Sequence, residues 1–299
     1  MEIDILQALS SPTTFNPVMG ALWRHFGDPN RFIQPLEAWV EPLLARPSVR
    51  GAEIINDASA LVANFLRAVK RDPEAVTADV ASTISEPELT AHYHWLVGHA
   101  GESLAPLLAG DPEWCDPKIA GWWAGDSSSW LAAEAKAVAR AQWSPSEPKI
   151  HQCETVRARL SSIAASLSGP GPEERHQDHA ARLQQLAKRL SGVTILCGDW
   201  RRAVSPTLLT GETAVLLSPP GRFAAKNPQG AQAGVPDACR QWALEHGEQL
   251  RIALCGRAND AKMPSDWEEY ERKAEAGSCR SPERIWFSPG CKDIQGTLF

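Results

Sequence analysis

Apolar positions along this chain fall into two rhythms, short continuous runs and helical spacing, and they alternate near the start. The runs "RFIQP" and "EIIN" read as β-strands. A helical pattern follows each. The first covers Ala38 to Ala45 and the second Ala58 to Arg71, where Leu61, Val62, Phe65, Leu66 and Val69 share one face. That β-α-β-α order predicts a parallel sheet covered by helices. From about residue 75 to 190 the spacing is helical throughout, as in "PELTAHYHWLVGHAGESLAPLLA", "SSWLAAEAKAVARAQW" and "RHQDHAARLQQLAKRLSG", the last stopping at Gly192. Strand-like runs then return at "VTILCGDW", "TAVLLSPP" and "LRIALCG", the last preceded by the helix "PDACRQWALEHG". A final pair lies near "WEEYERKA" and "RIWFSP". The expected fold is α/β, a seven-stranded Rossmann-like sheet with a helical insertion. Residues 1–74 and 191–299 form its core, and 75–190 the insertion, a candidate DNA- or partner-recognition region.

Composition narrows the class. The chain has 299 residues, 43% hydrophobic and 22% charged, enough for a substantial core. No apolar run reaches the roughly 18 residues of a membrane helix, and "MEIDILQALSS" lacks the basic start of a signal peptide, so a cytoplasmic protein without a membrane partner is expected. Seven cysteines, with no CxxC among them, indicate neither a disulfide framework nor a zinc ribbon. The formal net charge of -6 argues against a non-specific nucleic-acid coat, so any DNA contact is local.

The stretches "EIINDASALVANFLRAVKRDPEAV", "KIAGWWAGDSSSWL", "CGDW", "LLSPPG", "WALEHGEQLRIALCG" and "ERIWFSPGC" occur in an order and wording that resemble the Dam-like class of adenine-specific DNA methyltransferases, in particular its phage and prophage branch. The resemblance runs over about residues 15 to 299. It implies a Rossmann-like methyltransferase sheet, S-adenosylmethionine as cofactor and double-stranded DNA as partner.

The resemblance also implies roles for single residues. Asp57, in "IIND", stands where a carboxylate takes the cofactor's ribose, although an Asp there equally suits a helix N-cap. Asp199 and Trp200, in "CGDW", stand beside the cofactor's adenine; the same pair fits an ordinary turn and a core indole. Ser218, Pro219 and Pro220 form the catalytic loop, in which the first residue and the first proline's carbonyl accept from the target amine of a flipped base. Gln34 and Glu37, in "QPLEAW", occupy the turn that meets the cofactor's methionine end. Gly221, Arg222, Phe223 and Lys226 follow on the substrate side.

The chain departs from the family pattern at three places. Glu37 and Ala38 stand where small residues are expected, which obstructs the cofactor turn and adds a charge. The aromatic residue that stacks the flipped base is replaced by Gly221, with Phe223 two positions on. The amino-terminal Y-x-G-G-K-like turn is reduced to "FNPVMG", with Phe15 and Gly20 but no lysine. These departures imply a divergent DNA-modification protein that methylates adenine poorly. The alternative is a non-catalytic DNA- or protein-binding subunit, for instance beside an active methyltransferase; a small-molecule methyltransferase is a third reading.

Other features point less far. His92, His94 and His99 do not share one helix face at spacings of two and five, and His176, Asp178 and His179 lie on a polar face. Ser127-Ser128-Ser129 suggests a helix N-cap. Arg201, Arg202, Arg222 and Lys226 flank the two loops and suit phosphate contacts or a solvated surface.

Overall fold

The computed structural model describes residues 17–38, 40–81, 91–92, 94–96, 98, 101–129, 172–209, 212–219, 234–257, 262–272 and 283–291. It is an α/β fold with a mixed seven-stranded sheet, compatible with a Rossmann-like architecture. The strands are β1 (Arg31–Gln34), β2 (Ala52–Asp57), β3 (Val193–Cys197), β4 (Thr213–Leu217), β5 (Arg251–Arg257), β6 (Glu268–Arg272) and β7 (Glu283–Phe287). The helices are α1 (Pro17–Phe26), α2 (Glu41–Leu44), α3 (Ala60–Arg71), α4 (Pro73–Ala81), α5 (Gly101–Gly110), α6 (Pro117–Ser129), α7 (Pro172–Leu190) and α8 (Val235–His246). The sheet order is β3-β2-β1-β4-β5-β7-β6, with β1 parallel to β2 and β4, β4 parallel to β5, and β7 antiparallel to both β5 and β6. Every strand expected from the sequence is present.

The chain divides into two compact units. One runs from Asp57 to Gly198; the other comprises the described residues of Phe15–Asn56 and Asp199–Phe299.

In the Asp57–Gly198 unit, α3 is the centre. Residues Val62 to Val69 are all buried while Leu61 is only partly so, which corrects the expectation of one apolar face: this helix is enclosed on every side. Its two buried polar residues are therefore fully engaged, as burial requires. Asn64 donates to the Asp116 carbonyl at 2.9 Å and accepts from the Asp116 amide at 2.7 Å, fastening the start of α6. Arg67 donates to four main-chain oxygens, those of Ile195, Leu108, Asp111 and Trp114. Burial lowers its pKa from the ordinary arginine value. Gly121 lets α6 lie close against α4, since a Cβ there would fall 2.3 Å from the Asp79 side chain. Ser127–Ser129 form the last turn of the described part of α6, not a cap preceding a helix.

In the other unit, β1 and β4 are the buried middle, and the all-apolar interior of "AVLL" is what a strand covered on both faces requires. Trp23 and Phe26 of α1 meet edge to face and both rings tilt against Phe32 of β1, and the Trp23 indole donates to the Pro42 carbonyl at 3.0 Å. Arg46 and Glu53 form a buried ion pair. The expected helix over Ala38 to Ala45 shrinks to the single turn Glu41–Leu44. Gly20 sits inside α1, so the remnant of the reduced glycine turn is helical from Pro17.

Candidate functional site

In a doubly wound sheet, ligands gather beyond the carboxyl ends of the strands where the order reverses. Here that reversal falls between β1 and β4: the chain leaves β1 toward β2 on one side and returns through β4 on the other. The two strands are parallel, with Ile33 opposite Val215, so Gln34 and Ser218 leave the sheet along the same edge.

The turn after β1 is built by two buried amides. Asn56, 1% exposed, donates from Nδ2 to the Pro35 carbonyl at 2.9 Å, and Gln34, 0% exposed, donates from Nε2 to the Glu37 carbonyl at 2.5 Å. Between these anchors Glu37 adopts φ 48°, and no other non-glycine residue among those described has a positive φ. The left-handed region suits glycine, and a side-chain-bearing residue is held there only where its surroundings dictate it. The turn expected to contain small residues therefore keeps a glycine-like backbone while carrying a glutamate. Ala38 is buried. Gln34 Oε1 is buried with no hydrogen-bond partner among the described residues.

After β4, Ser218 and Pro219 are half-buried. Pro220, Gly221, Arg222, Phe223 and Lys226 lie outside the described residues, as do Phe15 and His99.

Asp199 and Trp200 belong to the same unit as the turn. Asp199 is exposed and caps a short 3-10 helix, accepting from the Arg201 amide at 2.8 Å and its guanidinium at 3.3 Å. Trp200 is buried, with Arg201 over its ring at 5.1 Å and the Trp242 ring edge-on at 6.3 Å; Trp242 in turn stacks on His246 at 4.4 Å. The Trp200 indole nitrogen is buried without a partner among the described residues. Nearby, burial pushes the Cys239 thiol up to about 12, which keeps it protonated and unreactive at neutral pH.

No protein-family model matches the chain, and no curated protein is significantly similar to it.

Asp57 heads the other unit. It is 5% exposed, and its Oδ1 accepts from the Ser59 amide at 2.8 Å, closing the turn into α3. His92 stacks on Trp122 at 3.7 Å, with Lys118 over the same indole at 5.2 Å, while His94 is exposed. Among the described residues no cluster of three or more His, Cys, Asp or Glu could hold a metal, and no helix is long and apolar enough to cross a membrane.

Three residues that matter here escaped sequence reading. Asn56 was visible as a lone amide inside an apolar strand. Trp242 and His246 stand four apart in "WALEH", a spacing that places them on one helix face.

Proposed function

We propose that the protein is a DNA-modification protein of the S-adenosylmethionine-dependent methyltransferase type, divergent from the Dam-like adenine enzymes and slow at their reaction. What supports this reading is one arrangement: at the reversal point of a doubly wound sheet, a left-handed turn after β1 and a Ser-Pro segment after β4 leave by the same edge. The turn suits the cofactor's methionine end, since it has a glycine-like backbone beside the buried Gln34 amide, whose Oε1 has no hydrogen-bond partner among the described residues. When bound, S-adenosylmethionine supplies the methyl group. The Ser218 hydroxyl and the Pro219 carbonyl accept hydrogen bonds from the amine of a flipped base and orient it, and the prolines keep the loop stiff. Trp200 and Asp199 offer an indole and a carboxylate to the cofactor's adenine.

Gly221 provides no ring for the base. Stacking of a base on an aromatic side chain is worth roughly 1–3 kcal/mol, so its loss costs on the order of ten- to a hundredfold in rate. That same feature favours the second reading, a non-catalytic subunit that holds DNA or a partner methyltransferase.

Transfer of a radiolabelled methyl group to adenine in duplex DNA separates the two. The first reading expects measurable but slow transfer, well below about 1 per second. Complete absence of transfer, together with retention of DNA on a filter, favours the second.

A further inference from the structure

We propose that Lys70 and Arg67 of α3 close the outer edge of β3 against strand addition, and that the partner they exclude is the β3 edge of a second copy of this chain. The inference stands apart from the methyl-transfer reading.

Among the described residues β3 is a terminal strand of the sheet, so one of its sides meets no further strand. Which groups that side presents follows from one hydrogen bond. The Gly198 amide donates at 3.0 Å to the carbonyl of Asp57, the last residue of β2. The peptide joining Cys197 to Gly198 therefore turns its carbonyl the other way, toward the outer edge, and in an extended strand the carbonyls of Ile195 and Val193 share that direction. Both are taken by cations. The Arg67 guanidinium donates to the Ile195 carbonyl at 2.9 Å, and the Lys70 ammonium to the Val193 carbonyl at 3.0 Å. Residues 67 and 70 share one face of α3, so the two side chains act as a row along the edge.

An added strand needs those two oxygens as acceptors, and charged side chains bonded to them leave it no ladder to build. The excluded partner follows from β3 itself. "VTILC" has no charge, no proline and no glycine, the composition of a segment that pairs with its own kind, and two such edges related by a two-fold axis would run antiparallel. That approach would also bring two Lys70 ammonium groups together, so the same residue blocks the bonds and repels the copy.

The test is sedimentation velocity on the whole chain over a wide range of concentration, with amide exchange read at both ends of the range. Arg67 also holds the Leu108, Asp111 and Trp114 carbonyls, so Lys70 is the residue to vary. Lys70→Met keeps the length of the side chain and removes the donor and the charge. It should self-associate about tenfold or more tightly than the parent, with slower exchange of the Ile195 amide at the high concentration than at the low. Lys70→Arg should behave as the parent does. Should Lys70→Met fail to fold, as judged by circular dichroism, Lys70→Ala is read in the same way. The inference is overturned by a variant that is less stable yet associates no more tightly than the parent, by equal association of Lys70→Arg, or by association that leaves exchange at Ile195 unchanged.

Discussion

Gln34 and Glu37 are joined by a hydrogen bond from a fully buried side-chain amide to a main-chain oxygen, and the bond works in one direction only. The donor must be at position 34. Gln34→Glu would set an oxygen against the Glu37 carbonyl, and only the protonated carboxyl could donate. Its folded-state pKa would lie above the unfolded value of about 4.3. A raised carboxyl stabilises below its unfolded pKa, and the stabilisation is lost as pH rises through the folded pKa. Urea unfolding of the variant should match the parent most closely near pH 4 and fall below it by about 1–3 kcal/mol at pH 7. A gap that does not change with pH refutes the bond's role.

Glu37→Gly should stabilise the protein. A residue with a Cβ loses about 1–2 kcal/mol in the left-handed region, and the greater freedom of glycine in the unfolded chain offsets part of the gain. The expected net effect is about 1 kcal/mol, visible as a higher urea midpoint with an unchanged slope.

Arg46 and Glu53 meet at 3.0 Å with side-chain exposures of 1% and 2%, and Arg46 also donates to the Pro29 and Arg50 carbonyls. Glu53→Ala should cost about 3–5 kcal/mol, because it leaves a buried guanidinium without its carboxylate. Arg46→Met/Glu53→Leu should recover part of that loss. A double variant no better than Glu53→Ala would mean that the damage comes from packing or from the freed carbonyls.

Burial pushes the Cys239 thiol up to about 12 and the Cys291 thiol up to about 11. Both stay neutral in the folded chain above the pH at which an unfolded cysteine ionises. Their contribution is complete below about pH 8.5 and declines as pH rises toward 11–12. Stability at pH 10 should be lower by about 2 kcal/mol for each of these cysteines, and Cys239→Ala should flatten the alkaline limb. Native protein at pH 8 should leave Cys239 unlabelled by a thiol reagent; prompt labelling there would contradict its burial.

The strands were legible because a strand covered on both faces needs an unbroken apolar run, and "AVLL" and "IALC" provide one. The α3 helix was legible in position but not in burial. Asn64 and Arg67 lie off the apolar face that the spacing gives, and long-range bonds to Asp116 and Ile195 bring them inside. Periodicity cannot reveal such partners. The turn after β1 was read as obstructed because Glu37 has a Cβ; Gln34 holds its carbonyl locally, while the bond from Asn56 to Pro35 comes from the neighbouring strand and is not visible in the local sequence. Asp57 was read as either ribose ligand or cap; the N-cap of α3 is Ser59, and Asp57 instead closes the turn before it by accepting from the Ser59 amide.

The bond from the Gly198 amide to the Asp57 carbonyl, 3.0 Å long, has a consequence for how the chain assembles. Its two residues are the boundaries of the inserted unit, so that unit begins and ends at one point. Outside it, Asn30 must find Glu212 across 182 residues of sequence, and closing so long a loop costs about 5 kcal/mol of chain entropy. If Asp57–Gly198 folds first, the remaining search is that of a loop of a few tens of residues, about 1 kcal/mol easier. The Asp57–Gly198 unit, helical apart from β3, then shortens the search for β-pairing, and replacing it with a short glycine-serine bridge should leave β1 and β4 still near enough to meet.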